Sequence, residues 1–426
     1  MKNILGNVIT LTVFGESHGP YIGGVIDGLP AGLKVDMEYI MKELDKRKSV
    51  SALSTPRREA DIPEFISGVR PAAEDAEAAR ALPQYVTEGS PVAFLIRNGN
   101  TRSGDYDKLR GIALPGHADY TAEMKYDGHQ DARGGGHFSG RLTAVMVAAG
   151  AILKQALEAK GIVIGSHIAD LNGITDRSFV TFASVHTDAP ADTTSACRNA
   201  SSDTPTDTAS SNTPTDAPTD ANSGTIAMAG GTLADDLAKV NKMSFAVLDD
   251  VAGEAMQNRI LAAREDRDSV GGILETAVTG LEPGIGEPLF SSIESELAKA
   301  VFSVGGVKGI EFGAGFGLAH MTGSEANDPF RIEDGKVVTT TNNNGGINGG
   351  ISNGMPIIFR TVIKPTPSIG KVQDTVDFRT MENVRLEIGG RHDPAIIHRA
   401  RVVIDSLTAF VLADLLCQRH GSDWLI

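Results

Sequence analysis

Residues 133–160 read RGGGHFSGRLTAVMVAAGAILKQALEAK. Three consecutive glycines and a histidine precede a run whose small and aliphatic residues fall at helical spacing: Leu142, Val145, Ala149, Ile152 and Leu153. Ser139 is placed to cap a helix running from Arg141 to about Lys160, and Gly161 to stop it. So many alanines predict close helix packing in an interior. The glycine loop in front lets backbone approach a ligand. The free N–H groups of the helix start, flanked by Arg133 and Arg141, favour an anion there. Without a ligand, the same residues read as a flexible loop before an ordinary helix.

Working outward, Val8–Phe14 is rich in β-branched residues and predicts a strand, Gly23–Ile26 a second and Pro91–Arg97 a third. Asp36 is positioned to cap a helix reaching Lys46, and the Ala- and Glu-rich stretch Arg70–Gln84 predicts a short surface helix. A second long helix is expected from Pro394 through Leu407 and Leu415, with Asp393 as its N-cap. Thr187–Ser223 stands apart, being almost entirely Ser, Thr, Asp, Ala, Pro and Asn with near-repeats at 203–207 and 212–216. It has almost nothing apolar to bury against its ordering entropy, so we expect a flexible insertion within one domain spanning 1–426.

The net charge of −15 argues against nucleic acid or an anionic membrane as partner, so an anionic ligand requires a local basic cluster. Two cysteines, Cys197 and Cys417, lack metal-type spacing, and no metal site is expected. The N-terminus lacks a signal-peptide core, and the expectation is a cytoplasmic protein with a small-molecule partner.

Several short motifs carry candidate chemistry. Gly15-Glu16-Ser17-His18-Gly19 satisfies the G-x-S-x-G pattern of a serine hydrolase, but that elbow needs a helix directly after the serine, and Pro20, Gly23 and Gly24 follow instead. His117 lies in a Pro-Gly-His-Ala-Asp loop, accessible for proton exchange. Lys364, Pro365, Thr366, Pro367 and Ser368 place an ammonium and two hydroxyls on a stiff segment, and 342–350 is a second glycine-rich loop. No Walker A or Rossmann fingerprint is present. Each motif alone reads most simply as a turn.

Together, these stretches resemble the chorismate synthase family. Residues 15–32 (GESHGPYIGGVIDGLPAG) resemble its first signature, 136–152 (GHFSGRLTAVMVAAGAI) the second, and 390–395 the start of the third. Segments 53–61, 115–120, 268–273 and 307–312 follow in the family's order. The chain departs at Lys48–Ser51, where the family has Pro-Gly after Arg47, and at Asp405, where it has glutamate.

The resemblance implies an α+β fold, a β–α–β sandwich with helices between antiparallel sheets, assembled as a homotetramer. It implies a lyase that uses reduced FMN, with NADPH as a candidate reductant, to eliminate phosphate from 5-enolpyruvylshikimate-3-phosphate. His18 and His117 would transfer protons, Asp393 would assist the flavin as base, and Ser17 and Ser139 would support them. His137, Phe138, Ser139, Gly305, Gly306, Gly349, Lys364, Pro365, Thr366, Pro367, Ser368 and Arg391 match flavin-holding positions. Arg47 and Arg141, with His18, match the substrate site, and Arg47 also the nucleotide position. The alternatives are a serine hydrolase using Ser17 and a flavin- or phosphate-binding relative without catalysis.

Overall fold

Alternation and turn chemistry build the first sheet. The computed structural model describes residues 3–48, 53–54, 60–72, 82–99, 111–180, 232–389 and 392–426. Within it, β1 (Ile4–Leu5), β2 (Thr10–Gly15), β3 (Tyr21–Asp27), β4 (Pro63–Ser67) and β5 (Val92–Arg97) form an antiparallel sheet in the order β1-β2-β3-β5-β4. β2 and β3 pair as a hairpin from Thr10↔Asp27 to Gly15↔Ile22, so residues 16–20 form its tip. A second antiparallel sheet has the order β7-β6-β8-β10-β9, from β6 (Val163–Leu171), β7 (Ile174–Thr175), β8 (Gly272–Thr279), β9 (Val307–Phe312) and β10 (Ile357–Ile363).

Helices fill the space between. α1 (Met37–Lys46) begins at Asp36, whose Oδ1 accepts from the backbone N–H of Glu38 at 2.9 Å and Tyr39 at 3.2 Å, a cap worth about 1 kcal/mol. α2 (Thr143–Ala159) presents Val145 to β3 and packs its other side on the C-terminal helix. That crossing is close because Gly150 has no side chain: a Cβ there would lie 2.5 Å from Ser406 Cβ. α3 (Leu233–Val240), α4 (Asp250–Glu265) and α5 (Ile293–Val301) lie around the second sheet and C-terminal helix. α6 (Ile397–His420) contacts α2, β6 and β8 and is buried from Ile397 to Cys417, apart from Arg399. A helix buried on every face lies inside a domain, and of its few charged residues Arg401, Asp405 and Asp414 are buried with it. Its buried Asp414 accepts the backbone N–H groups of Asn7, Val8 and Ile9 at 2.7–3.0 Å, which anchors the turn before β2. The layers are therefore sheet, helices, sheet, as the resemblance implies.

The stretch 133–159 is the one among the described residues long and apolar enough to cross a membrane, and it is 72% buried within the fold.

Two expectations need correction. Arg70 and Gln84 do not lie in a helix: Val69–Pro71 and Gln84–Thr87 are strands paired with each other, so pairing overrides the helix-forming composition at both ends. Residues 73–81 lie outside the described set. The C-terminal helix starts at Ile397 rather than Pro394, and Asp393 is not its cap, because its carboxylate binds Arg399 at 2.7 Å instead. The 187–223 segment also lies outside the described residues. Phe179 and Val180 before it pack in one cluster with Leu233, Leu237 and Val240 after it.

Candidate active site

The glycine loop and the β2–β3 hairpin tip fold against each other. Gly134, Gly135 and Gly136 all have positive φ, 59°, 78° and 51°. This lets the backbone double back so that the Gly136 carbonyl accepts from Ser17 N at 3.1 Å and His137 Nδ1 reaches the Gly15 carbonyl at 2.9 Å. The His18 ring lies on Gly134, where a Cβ would come within 2.5 Å of His18 Nε2. Ser139 then caps the following turn, accepting from Arg141 N at 3.3 Å.

Next to this loop, two arginines share one carboxylate. Arg47 donates to Asp61 Oδ2 at 3.0 Å, and Arg141 donates to Asp61 Oδ1. Arg47 also reaches Thr143 Oγ1 at 3.0 Å and the carbonyls of Gly140 and Arg141, while Arg141 Nε binds Asn98 Oδ1 at 3.0 Å. Asn98 in turn donates to the carbonyls of Glu16 and Gly19, which ties the hairpin tip to the arginine pair. All three charged side chains are buried. The triad carries one net positive charge in a low-dielectric setting, where water and salt screen it little.

A second cluster forms around His117. Its Nε2 shares a hydrogen bond with Ser368 Oγ at 2.8 Å, its Nδ1 faces the Pro115 carbonyl at 3.2 Å, and Lys364 Nζ donates to the Gly116 carbonyl at 2.6 Å. Burial holds His117 below the ordinary histidine value; Asp119 and the Pro115 carbonyl push it upward, and Lys364 and His392 push it down again. The Lys364 backbone N–H donates to the Gly306 carbonyl at 2.9 Å, and Ser269 Oγ to the Thr366 carbonyl at 2.7 Å, so 305–306 and 364–368 form one wall.

The two clusters are linked. Arg399 donates to Asp393 at 2.7 Å and through Nε to the Arg47 carbonyl at 2.9 Å. The helix Asp119–Tyr126, which follows His117, sets Tyr126 against Phe138 with ring centroids 6.2 Å apart.

Arg47, Arg141, Ser17, His18, His137, Phe138 and Ser139 therefore gather in one cluster and His117, Lys364 to Ser368, Gly305 and Gly306 in another, with Asp393 joined to Arg47 through Arg399. Gly349 is the exposed tip of a hairpin between Ile347–Asn348 and Ile351–Ser352, where a Cβ would meet no atom within 4 Å, while Gly350 next to it lies against Glu287 and Ser292. Arg391 lies outside the described residues. Asp61, Asn98 and Arg399 had no role in the sequence reading. Asp61 sits inside a quoted motif, but nothing in a one-dimensional pattern tells a carboxylate that bridges two arginines from one on a surface.

Ser17 lies in a hairpin, with β3 rather than a helix after it, so the strand–serine–helix elbow of a hydrolase is absent from this part of the fold.

A family model described as chorismate synthase matches residues 9–417. The chain belongs to the chorismate synthase family. A chorismate synthase of Dehalococcoides mccartyi is 41% identical over 97% of this chain and 96% of its own length. One of Pyrococcus abyssi is 40% identical over 97% and 98%, and one of Thermococcus kodakarensis 37% over 99% of each. A solved structure of a chorismate synthase, 24% identical, matches over 98% of this chain and 94% of its own with a TM-score of 0.64, and thus shares the sandwich.

Proposed function

We propose that this chain is the lyase that converts 5-enolpyruvylshikimate-3-phosphate to chorismate, and that His117, Lys364 and the Arg47–Asp61–Arg141 triad handle the departing phosphate. The observation that carries the assignment of roles is His117: half-buried, held below its ordinary pKa, and hydrogen-bonded to a hydroxyl rather than a carboxylate. Such an imidazole is neutral in the free enzyme and gains a proton when a phosphate adds negative charge beside it.

In the reaction a C–O bond to phosphate and a C–H bond across the ring both break, and a C=C bond forms, with no net oxidation. The substrate's phosphate and two carboxylates need cations, which Lys364 and the arginine triad provide. His117 Nε2, oriented by Ser368, is placed to hold the proton that neutralises the leaving phosphate. His18, stacked on the glycine loop and supported by Ser17 and Ser139, is the second proton-transfer group. Asp393, fixed by Arg399, is in this reading the carboxylate that assists proton removal.

Family membership carries a requirement for a reduced flavin, which we assign as FMN. The residues present fit it: Thr366 Oγ1 is buried with no partner among the described residues, and a Cβ at Gly305 would meet no atom within 4 Å. His137, Phe138, Ser139, Gly305, Gly306 and the 364–368 segment would hold it, joined in our reading by Arg391 and Gly349. Bound reduced FMN supplies an electron-rich ring that favours departure of the phosphate. NADPH is the external reductant in this reading, with Arg47 near it. We further read the chain as one catalytic domain interrupted at 187–223 and as a cytoplasmic homotetramer. Largely exposed aromatics such as Phe290 and Phe316 support burial in an assembly.

The test is anaerobic phosphate release from 5-enolpyruvylshikimate-3-phosphate, with and without chemically reduced FMN. Release that requires the reduced flavin and yields chorismate supports the reading. Folded, FMN-binding protein that releases nothing overturns it. Adding NADPH with oxidised FMN tests self-reduction.

A further inference from the structure

Two consecutive residues at the start of α6 reach two points only seven positions apart in the chain, Arg47 and Ser54. Arg399 Nε donates to the Arg47 carbonyl at 2.9 Å while its Nη1 binds Asp393 at 2.7 Å. His398 Nε2 shares a hydrogen bond of 2.9 Å with Ser54 Oγ, and both side chains are buried. His398 Nδ1 has no partner among the described residues, and the Phe245 ring lies beside the imidazole with centroids 6.1 Å apart. Burial, with Arg399 and Arg401 adding to it and Asp393 opposing, pushes His398 down to about 4, so the ring is neutral at working pH.

As a packing element this is a poor choice. A buried imidazole with one satisfied nitrogen and one unsatisfied costs stability that an aliphatic residue would not. Its one directional bond reaches 344 positions back in the chain, to the segment that also carries Arg47. Arg399, next to it, joins the same segment to Asp393. The first turn of α6 thus grips the chain at the arginine that anchors the basic triad and again seven positions beyond it, and through Arg399 it ties Arg47 to the Asp393 carboxylate.

We propose that His398 and Arg399 are a pair of positioning residues that hold Arg47 and Ser54 against Asp393, and so set the spacing between the basic triad and the flavin-side carboxylate. The proposal rests on the roles given above to Arg47 and Asp393. Neither residue touches the reacting atoms; they act by orienting groups that do.

The experiment uses full-length Ser54→Ala, His398→Phe and the double variant, assayed anaerobically with reduced FMN and 5-enolpyruvylshikimate-3-phosphate, with thermal unfolding and FMN affinity measured alongside. Each single variant is expected to raise KM for the substrate about tenfold, the effect of one lost buried hydrogen bond, with little change in FMN affinity. The double variant should be no worse than the poorer single, because both remove the same bond. His398→Gln, which keeps a side-chain amide able to bond Ser54, should recover most of the KM. A lower unfolding temperature with unchanged KM in all variants overturns the proposal and leaves a packing role. Should His398→Phe fail to fold, Ser54→Ala decides alone, since it removes a single oxygen. Wild-type protein that releases no phosphate would instead break the assignment of activity and take this proposal with it, whereas active wild type with unaltered variants breaks only the positioning role.

Discussion

His117, half-buried, and His167, fully buried, both have partners at both ring nitrogens, yet their surroundings give them opposite properties. His167, on β6, faces Asp176 Oδ2 at 2.9 Å and Glu275 Oε2 at 3.1 Å and is fully buried. The carboxylates have further donors: Ser178 Oγ and Phe179 N on Glu275, Leu248 N and Asp249 N on Asp176. Burial alone would lower the His167 pKa, but hydrogen bonds and charge from the two acids overturn this and raise it. Burial likewise favours protonated Glu275 and Asp176, and the histidine overturns that, lowering both. His117 has a hydroxyl and a carbonyl in their place, and its pKa falls. A histidine between two acids is a fixed charge that fastens β6, β8 and the chain entering residue 180. One with neutral partners keeps its proton free to move.

The largest effect should come from removing the mobile proton. His117→Gln is expected to lower kcat by about 10²–10⁴-fold with unfolding nearly unchanged, the range for losing a general acid. A drop of less than tenfold would place the proton elsewhere, with His18 the first candidate. His167→Leu should do the reverse. It strands two buried carboxylates and should cost about 3–5 kcal/mol in urea unfolding, while folded protein keeps its kcat. If stability barely changes, the network is not the clamp described.

Gly134→Ala probes the shared scaffold. Its Cβ would strike His18 Nε2 at 2.5 Å and the positive φ would be strained, so we expect about a tenfold or larger loss of kcat/KM. Unaltered kinetics would mean that the loop and His18 yield without consequence.

The pH dependences separate the two histidines more finely. The stabilising contribution of His167 is complete below the ordinary histidine value of about 6.5 and is lost as pH rises through its raised native value. The contributions of Glu275 and Asp176 are complete above their ordinary values near 4 and are lost as pH falls through their depressed native values. The clamp is therefore strongest between those limits. By NMR, the His117 ring should titrate below its ordinary value in free protein and move upward when inorganic phosphate is added. A His117 signal unmoved by phosphate would remove the basis for its role. Ser368→Ala, the mildest change, should shift the acid limb of the kcat profile and lower kcat only a few-fold.

Much of the scaffold was legible because it follows local rules. Asp36 capping α1, Ser139 before Arg141, and the β-branched run in β2 all depend on neighbours a few positions away; Asp36 caps as the pattern has it, β2 begins at Thr10 rather than Val8, and Ser139 caps a short turn at 140–142 before α2 starts at Thr143. The motifs around His18, His117 and the glycine loop were also readable, since glycine brackets and charged flanks are contiguous. Where a residue's local option competed with a distant partner, the reading failed. Asp393 looked like a helix cap and instead binds Arg399, and Arg70 and Gln84, at the two ends of the Ala- and Glu-rich stretch, lie in strands.

By itself, then, the amino-acid order determined the layered α+β class, the three signature motifs and the chemistry of the groups they carry. Tertiary structure alone decided which groups share a proton or a charge: Asp61 between Arg47 and Arg141, Ser368 on His117, Glu275 and Asp176 on His167. The reason is physical. A side chain's identity limits what it can donate or accept, but its pKa and orientation come from burial and from partners up to hundreds of residues away, and these exist only once the sheets close over the central helices.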